Sequence, residues 1–257
     1  MSRIAALTVI STVLGQAALA EAAIVTDSPV VQSFVAKVTD TVPGALMPAG
    51  ADPHHFALRP SQMKALQQAE WLIWVGPEFS TWLEGPAAQL PASTQVLKLA
   101  NGNAHAWLDP VIADAWTQKI AGALGYSAGP GIWDAVANEL REELTGLAGI
   151  GLLSGHDAYA EFGARFGLNF VGSISDSHAH DPGPAHLAHL REMIAGGVVG
   201  CVLSDSHEIE GYVDLVVEGS DIPVVEVDLT GHGIAPGADF YPDLLRGVAD
   251  ALKGCVP

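Results

Sequence analysis

Ten histidines are spread along the 257 residues, and three of their settings combine a metal-binding side chain with a loop position. His54 and His55 sit behind an Asp-Pro pair in "GADPHHFALRPS", His105 lies in "NGNAHAWLDP", and His156 lies in "LLSGHDAY". Three imidazoles with one carboxylate or water make a tetrahedral zinc set. Such a nitrogen-rich balance suits zinc more than manganese, which prefers additional oxygen ligands. Asp228, in "VVEVDLTGHG", is the candidate carboxylate, and it would partly neutralise the ion in a cleft of low dielectric. Glu226 is expected to point to the opposite face of that strand and ranks behind it. Each histidine, taken singly, also fits a hydrogen-bonded surface group, and no local signature such as His-Glu-x-x-His is present. Spacing alone leaves the metal site and the solvated turn both open, and leaves open which of His54 and His55 would ligate.

The surrounding pattern says what could bring these residues together. Short apolar runs alternate with helical stretches: strands over "AAIVTD", "VPGALM", "EWLIWVG" and "TQVLKL", with helices over 29–38, "PSQMKALQQA" and "PEFSTWLEG" between them. A helix over 111–124, ended by Gly125, leads to "SAGPG" and a charged helix over 132–147. The rhythm then restarts, with strands over "GLLSGH", "LNFVGSIS", "VGCVLSD" and "PVVEVDL", and a last helix over 241–253. This βαβα order predicts an α/β protein of two lobes, each a mostly parallel sheet with helices on both faces. Residues 21–125 form one lobe, 126–149 a connecting helix region and 150–257 the other. Open parallel sheets bind ligands at the carboxyl ends of their strands, where all the candidate ligands fall, so an inter-lobe cleft is the expected site.

Bulk properties narrow the class. The chain is 49% hydrophobic with 16% charged residues, enough to bury substantial cores. A net charge of −18 excludes nucleic acid as a partner, because phosphates need basic contacts. Residues 1–20, one basic residue followed by an apolar run ending in Ala-Leu-Ala, read as a secretory signal cut after Ala20. A membrane anchor is the rival, weakened by Ser11, Thr12, Gly15 and Gln16. In an exported protein the two cysteines, Cys201 and Cys255, allow a single disulfide, the alternative being two separate buried thiols.

The stretch "MPAGADPHHFALRPSQMKALQQAEWLIWVGPEF" resembles the first-ligand region of the periplasmic zinc receptors of bacterial ABC importers, the ZnuA-type, cluster A-I solute-binding proteins. "NAHAWLDP" resembles their second histidine element and "GHDAYAEFGARFGL" their third, while "CVLSD" with a cysteine near the C-terminus resembles their disulfide pair. The resemblance implies His54, His105 and His156 as ligands, Asp228 at a fourth position taken in relatives by an acid or a water, and a Cys201–Cys255 disulfide. It implies a periplasmic monomer that captures Zn2+ and passes it to a membrane ABC permease, with no covalent chemistry and with a stiff connecting helix that limits lobe opening. Trp107 would shield the metal from water.

Zinc members of that family carry a long His- and acid-rich loop between the first two ligands; here that region is only "LKLANGNAHAW". His178, His180, His186 and His189 lie close together in "DSHAHDPGPAHLAHL", either a zinc-collecting loop or, as the residues favour, a polar lead into a helix starting at Pro184. His207 and His232 read as loop residues. Three other functions fit parts of the pattern. A manganese or iron receptor typically has a carboxylate where His156 stands, and an adhesin can share the fold. A zinc hydrolase would need a general base such as Asp52 or Asp157 beside an open metal position.

Overall fold

The computed structural model describes residues 23–176, 180–205 and 210–256. The expected signal segment, His178 and His207 lie outside the described residues. The elements run β1 (Ile24–Thr26), α1 (Pro29–Thr39), β2 (Gly44–Ala45), α2 (Pro60–Gln67), β3 (Trp71–Trp74), α3 (Thr81–Ala87), β4 (Gln95–Lys98), a 3-10 turn (Ala106–Leu108), α4 (Pro110–Leu124) and α5 (Asp134–Glu143). They continue with β5 (Gly151–His156), α6 (Ala160–Phe166), β6 (Asn169–Ser175), α7 (Pro184–Ala195), β7 (Cys201–Ser204), α8 (Glu210–Val217), β8 (Val224–Glu226) and α9 (Phe240–Leu252).

The strands form two four-stranded sheets, ordered β2-β1-β3-β4 and β6-β5-β7-β8, and all their pairings are parallel. Both lobes therefore repeat one winding, and strand order reverses beside β1 in one and β5 in the other. The loops at the carboxyl ends near those reversals are where a parallel sheet presents a ligand.

Pleating divides the apolar residues between cores. In β3, Leu72 and Trp74 pack into a cluster with Leu46, Leu66 and Leu83, whereas Ile73 joins a larger cluster. In β5, Leu153 packs on the α7 side with Leu187 and Leu190, whereas Leu152 joins that same larger cluster. Alternation thus gives each sheet a private core on one face and a common core on the other.

The common core spans both lobes. Tyr241 of α9 meets Phe34 of α1 and Trp133 edge-on at 4.9 and 5.0 Å between ring centroids. Its N–H bonds Ser33 Oγ at 3.1 Å, and its hydroxyl donates to Trp107 O at 2.8 Å. The last helix, assigned by sequence to the second lobe, is therefore wedged against the first. The expected helix over 132–147 is α5 followed by a 3-10 turn, Leu144–Leu147, whose Leu144 and Leu147 are buried in the common core. Cys201, at the start of β7, is bonded to Cys255 at the far end of the chain. Among the described residues no helix is long and apolar enough to cross a membrane.

Candidate metal centre

Each candidate histidine is held by its own loop. Asp52 accepts the His54 N–H at 2.7 Å, and Asn103 accepts the His105 N–H at 2.8 Å. Both are side-chain turns two residues long, the conformation for which Asp and Asn are suited. Trp82 of α3 donates its indole N–H to Pro53 O at 3.1 Å, tying the His54 loop to lobe one. His156 is the last residue of β5, a strand buried along its whole length.

The three imidazoles converge. His54, His105 and His156 each offer a ring nitrogen within 4.8 Å of the others, the one such metal-competent group among the described residues. Ring centroids are 5.4 Å apart for His54–His105, 5.7 Å for His54–His156 and 4.9 Å for His105–His156. The Nε2 atoms of His105 and His156 are 3.3 Å apart across the cleft. A zinc tetrahedron with Zn–N bonds of about 2.0–2.1 Å has N···N edges of about 3.3–3.4 Å, so this pair is already spaced for it. His55, by contrast, turns its ring toward Asp52 at 3.3 Å on the exposed side of the loop.

His54, His105 and His156 line a cavity of about 600 Å3 between the lobes, together with Phe79, Trp107, Asp205, Glu226 and Asp228. Phe79 presents its ring to His54 and His105 at 6.3 and 6.0 Å, and Trp107 is buried behind it. The sequence reading had Glu226 facing away from Asp228. It lines the same cavity, because β8 ends at Glu226 and the chain runs on extended, so that residues two apart share a face.

Asp228 lies outside the converging group. Its Oδ1 accepts from Thr230 N at 2.7 Å, Thr230 Oγ1 at 2.6 Å and Gly231 N at 3.1 Å, and its Oδ2 accepts from His232 N at 2.6 Å. It shapes the loop at the cavity wall, and that loop touches lobe one where Gly50 N donates to Thr230 O at 3.1 Å.

Asp205 went unnoticed in the sequence. It is the residue just past β7, is almost fully buried, and places Oδ1 3.1 Å from His156 Nδ1. With Nε2 facing the cleft, the carboxylate lies behind the ring at ion-pair distance but out of hydrogen-bond alignment; a carboxylate behind the ring is the usual arrangement for a ligating histidine. Burial alone would push the His156 imidazole down; Asp205, then Asp52 and Asp157, outweigh it and hold the group above its ordinary 6.5. The signal available was the position: Asp205 ends a strand of the same sheet as His156.

None of the described histidines of 178–189 joins the converging group. His180 Nδ1 lies 2.7 Å from Asp176, His186 Nε2 lies 2.9 Å from Ser173 O, and His189 is exposed on α7. His232 lines the cavity beside Gly50.

Comparison with known proteins places this architecture. The chain matches the family described as zinc-uptake complex component A, periplasmic, over residues 24–128 and 131–255. It is 32% identical to the high-affinity zinc uptake system protein ZnuA of Paracoccus denitrificans over 316 aligned positions, covering 96% of this chain and 97% of that one. The ZnuA protein of Yersinia pestis is 26% identical, with 93% and 92% covered. Among solved structures, the periplasmic zinc-binding protein TroA of Treponema pallidum superposes with a TM-score of 0.75 at 17% identity, covering 90% of this chain and 99% of that one. Two all-parallel sheets with a histidine cleft between them, and a family match over nearly every residue from β1 to Cys255, make this chain a member of the ZnuA family of solute-binding receptors.

Proposed function

We propose that this chain is exported to the periplasm, captures Zn2+ between its lobes and delivers it to an ABC-type membrane importer. His54, His105 and His156 bind the ion, and the fourth position falls to Asp228, which lines the same cavity and would have to release an oxygen from its loop bonds, or to a water. The observation that carries this reading is the convergence of three imidazoles from both lobes, with one inter-lobe pair already at a tetrahedral zinc edge. The names of its relatives, high-affinity zinc uptake proteins, support the same cargo.

The chain's own residues bind and release but transform nothing. Neutral Nε2 atoms replace water around the ion, Asp205 holds His156 in the required tautomer, and Phe79 and Trp107 keep solvent from the inner side. All proposed ligands come from one chain, which supports a monomer as the working unit. We assign residues 1–20 to a cleaved signal, 21–125 and 150–257 to the lobes, and 126–149 to the connector.

Calorimetric titration of the metal-stripped protein with Zn2+ and with Mn2+, beside His105→Ala, tests this. One tight zinc site per chain, weak manganese binding and a large loss in the variant are expected. Equal affinity for both metals would turn the reading toward a manganese or iron receptor, and an unaffected His105→Ala would sink the ligand set.

A further inference from the structure

Behind the cleft, Asp109 and Arg165 join the lobes by a two-pronged ion pair, Nε to Oδ1 at 2.7 Å and Nη2 to Oδ2 at 2.8 Å. Asp109 is nearly buried and also caps α4, its Oδ1 accepting Val111 N at 2.8 Å. Arg165 stands in the last turn of α6.

What distinguishes this pair from an ordinary surface bridge is its place in the chain. Asp109 follows His105 by a single 3-10 turn, closed by Leu108 N to His105 O at 3.0 Å and Asp109 N to Ala106 O at 3.1 Å. On the other lobe, Ala158 N bonds His156 O at 2.9 Å, and α6 begins two residues later. Tyr159 and Phe162 bury that connection in the common core. The path His105, turn, Asp109, Arg165, α6, His156 is thus a ring of short, hydrogen-bonded links, closed on the cleft side by the 3.3 Å contact between the two Nε2 atoms.

We propose that Asp109 and Arg165 are positioning residues, a clamp that holds the His105–His156 edge at zinc-binding separation before the ion arrives. A guanidinium fork meeting a carboxylate fixes angle as well as distance, which a point charge does not. An ion meeting a preset pair does not have to order the lobes, so the clamp raises affinity by lowering that cost. The inference rests on the zinc-site reading above and deepens it.

The test measures Zn2+ affinity by competition with a chromophoric chelator, and records the visible absorption of the Co2+-loaded protein as a report on tetrahedral geometry. The variants are Arg165→Gln, Arg165→Lys, His105→Ala and Glu139→Gln. The last breaks the Arg246–Glu139 pair, which joins α5 to α9 away from the ligand loops. The clamp predicts that both Arg165 variants weaken zinc by about ten- to a hundred-fold, as orienting groups around metals do, and reduce the Co2+ bands. The metal-free thermal midpoint of Arg165→Gln, which strands the nearly buried Asp109 carboxylate, should fall further than those of Arg165→Lys and of Glu139→Gln, the last of which keeps parental zinc affinity. Arg165→Lys, which keeps the charge, carries the test if Arg165→Gln does not fold. Zinc affinity within two-fold of the parent in both Arg165 variants, with His105→Ala crippled, would overturn the clamp and leave the site standing. Equal weakening in Glu139→Gln would overturn it too, as a sign of general loosening. An undamaged His105→Ala would remove the site and the clamp together.

Discussion

His105 and His156 meet with their Nε2 atoms 3.3 Å apart, although 51 residues and a change of lobe separate them. Each sits where its sheet delivers it: one in the loop after β4, the other as the last residue of β5. The common core beneath, continuous from Phe34 through Trp133 to Tyr241, keeps the two sheets from sliding independently. The third imidazole is the one the sequence left ambiguous.

That ambiguity is open to direct measurement. His54 faces the pair, and His55 faces Asp52 on the outside of the same loop. Spread over four ligands, a zinc binding free energy of about 10–16 kcal/mol is about 2.5–4 kcal/mol each, or about 60- to 700-fold in affinity. His54→Ala is expected to lose at least that, and His55→Ala to stay within a few-fold of the parent. Chelator competition on the two variants decides it, and a larger loss in His55→Ala would exchange their roles.

Much of this is legible in the sequence, for identifiable reasons. Strand runs such as "WLIW" and "GLLSGH" are too short and too apolar to be surface helices, and a histidine ending one of them must lie at a sheet's ligand edge. Contacts between elements were not legible. The amphipathic pattern of α9 says that Tyr241 and Leu245 are buried but not that α1 of the other lobe covers them. The same gap hid Asp205, whose role depends on β7 lying beside β5, and Arg165, whose partner is 56 residues away. Glu226 is different: its parity with Asp228 was readable, and it was misassigned. The sequence offers Asp228 as the fourth ligand; in the structure it lines the cavity, and its four loop hydrogen bonds depend on how residues 229–232 fold back.

The raised His156 fixes the sign of two pH effects. Zinc needs the neutral ring, so apparent affinity should fall as pH drops through the raised value, approaching tenfold per pH unit for one displaced proton. Stability of the metal-free protein runs oppositely. The group's contribution is complete below its ordinary 6.5 and is lost as pH rises through its folded value. Asp205→Asn removes the principal upward influence and leaves burial to dominate, so the fall in affinity should move to lower pH. The variant should also bind about ten- to a hundred-fold less tightly at alkaline pH, having lost its grip on Nδ1. Competition titrations across the range, on parent and variant, would contradict this if the two profiles coincided.

Cys201 and Cys255 close a loop spanning 54 residues, for which the chain-entropy relation gives about 4 kcal/mol. The bond anchors the end of α9 to β7, at the end of that strand opposite Asp205. Cys255→Ser should lower the unfolding free energy by about that amount in denaturant, while leaving zinc affinity within a few-fold. A large loss of affinity at unchanged stability would mean that the bond acts on the site rather than on the unfolded chain.

Asp27 offers the last test, because it lies under the site without lining it. It is fully buried at the end of β1, accepting Val75 N at 2.9 Å, Ser80 Oγ at 2.9 Å and Ser28 Oγ at 3.1 Å. Those bonds brace the turn that carries Phe79 against His54 and His105. Burial pushes its carboxyl up from 3.8 to about 6, its hydrogen bonds to Val75, Ser80 and Ser28 offsetting only part. A carboxyl raised in this way contributes stability that is complete below 3.8 and is lost as pH rises through about 6, a swing of about 3 kcal/mol. Asp27→Asn never ionises and can keep the bond from Val75. Its stability relative to the parent should therefore climb by about that amount as pH rises across the window. Denaturant midpoints of the two metal-free proteins at several pH values measure this difference directly. A difference that stays constant with pH would mean that burial and the hydrogen bonds balance, so that the carboxyl titrates alike folded and unfolded; a difference that falls as pH rises would mean that the donors outweigh burial.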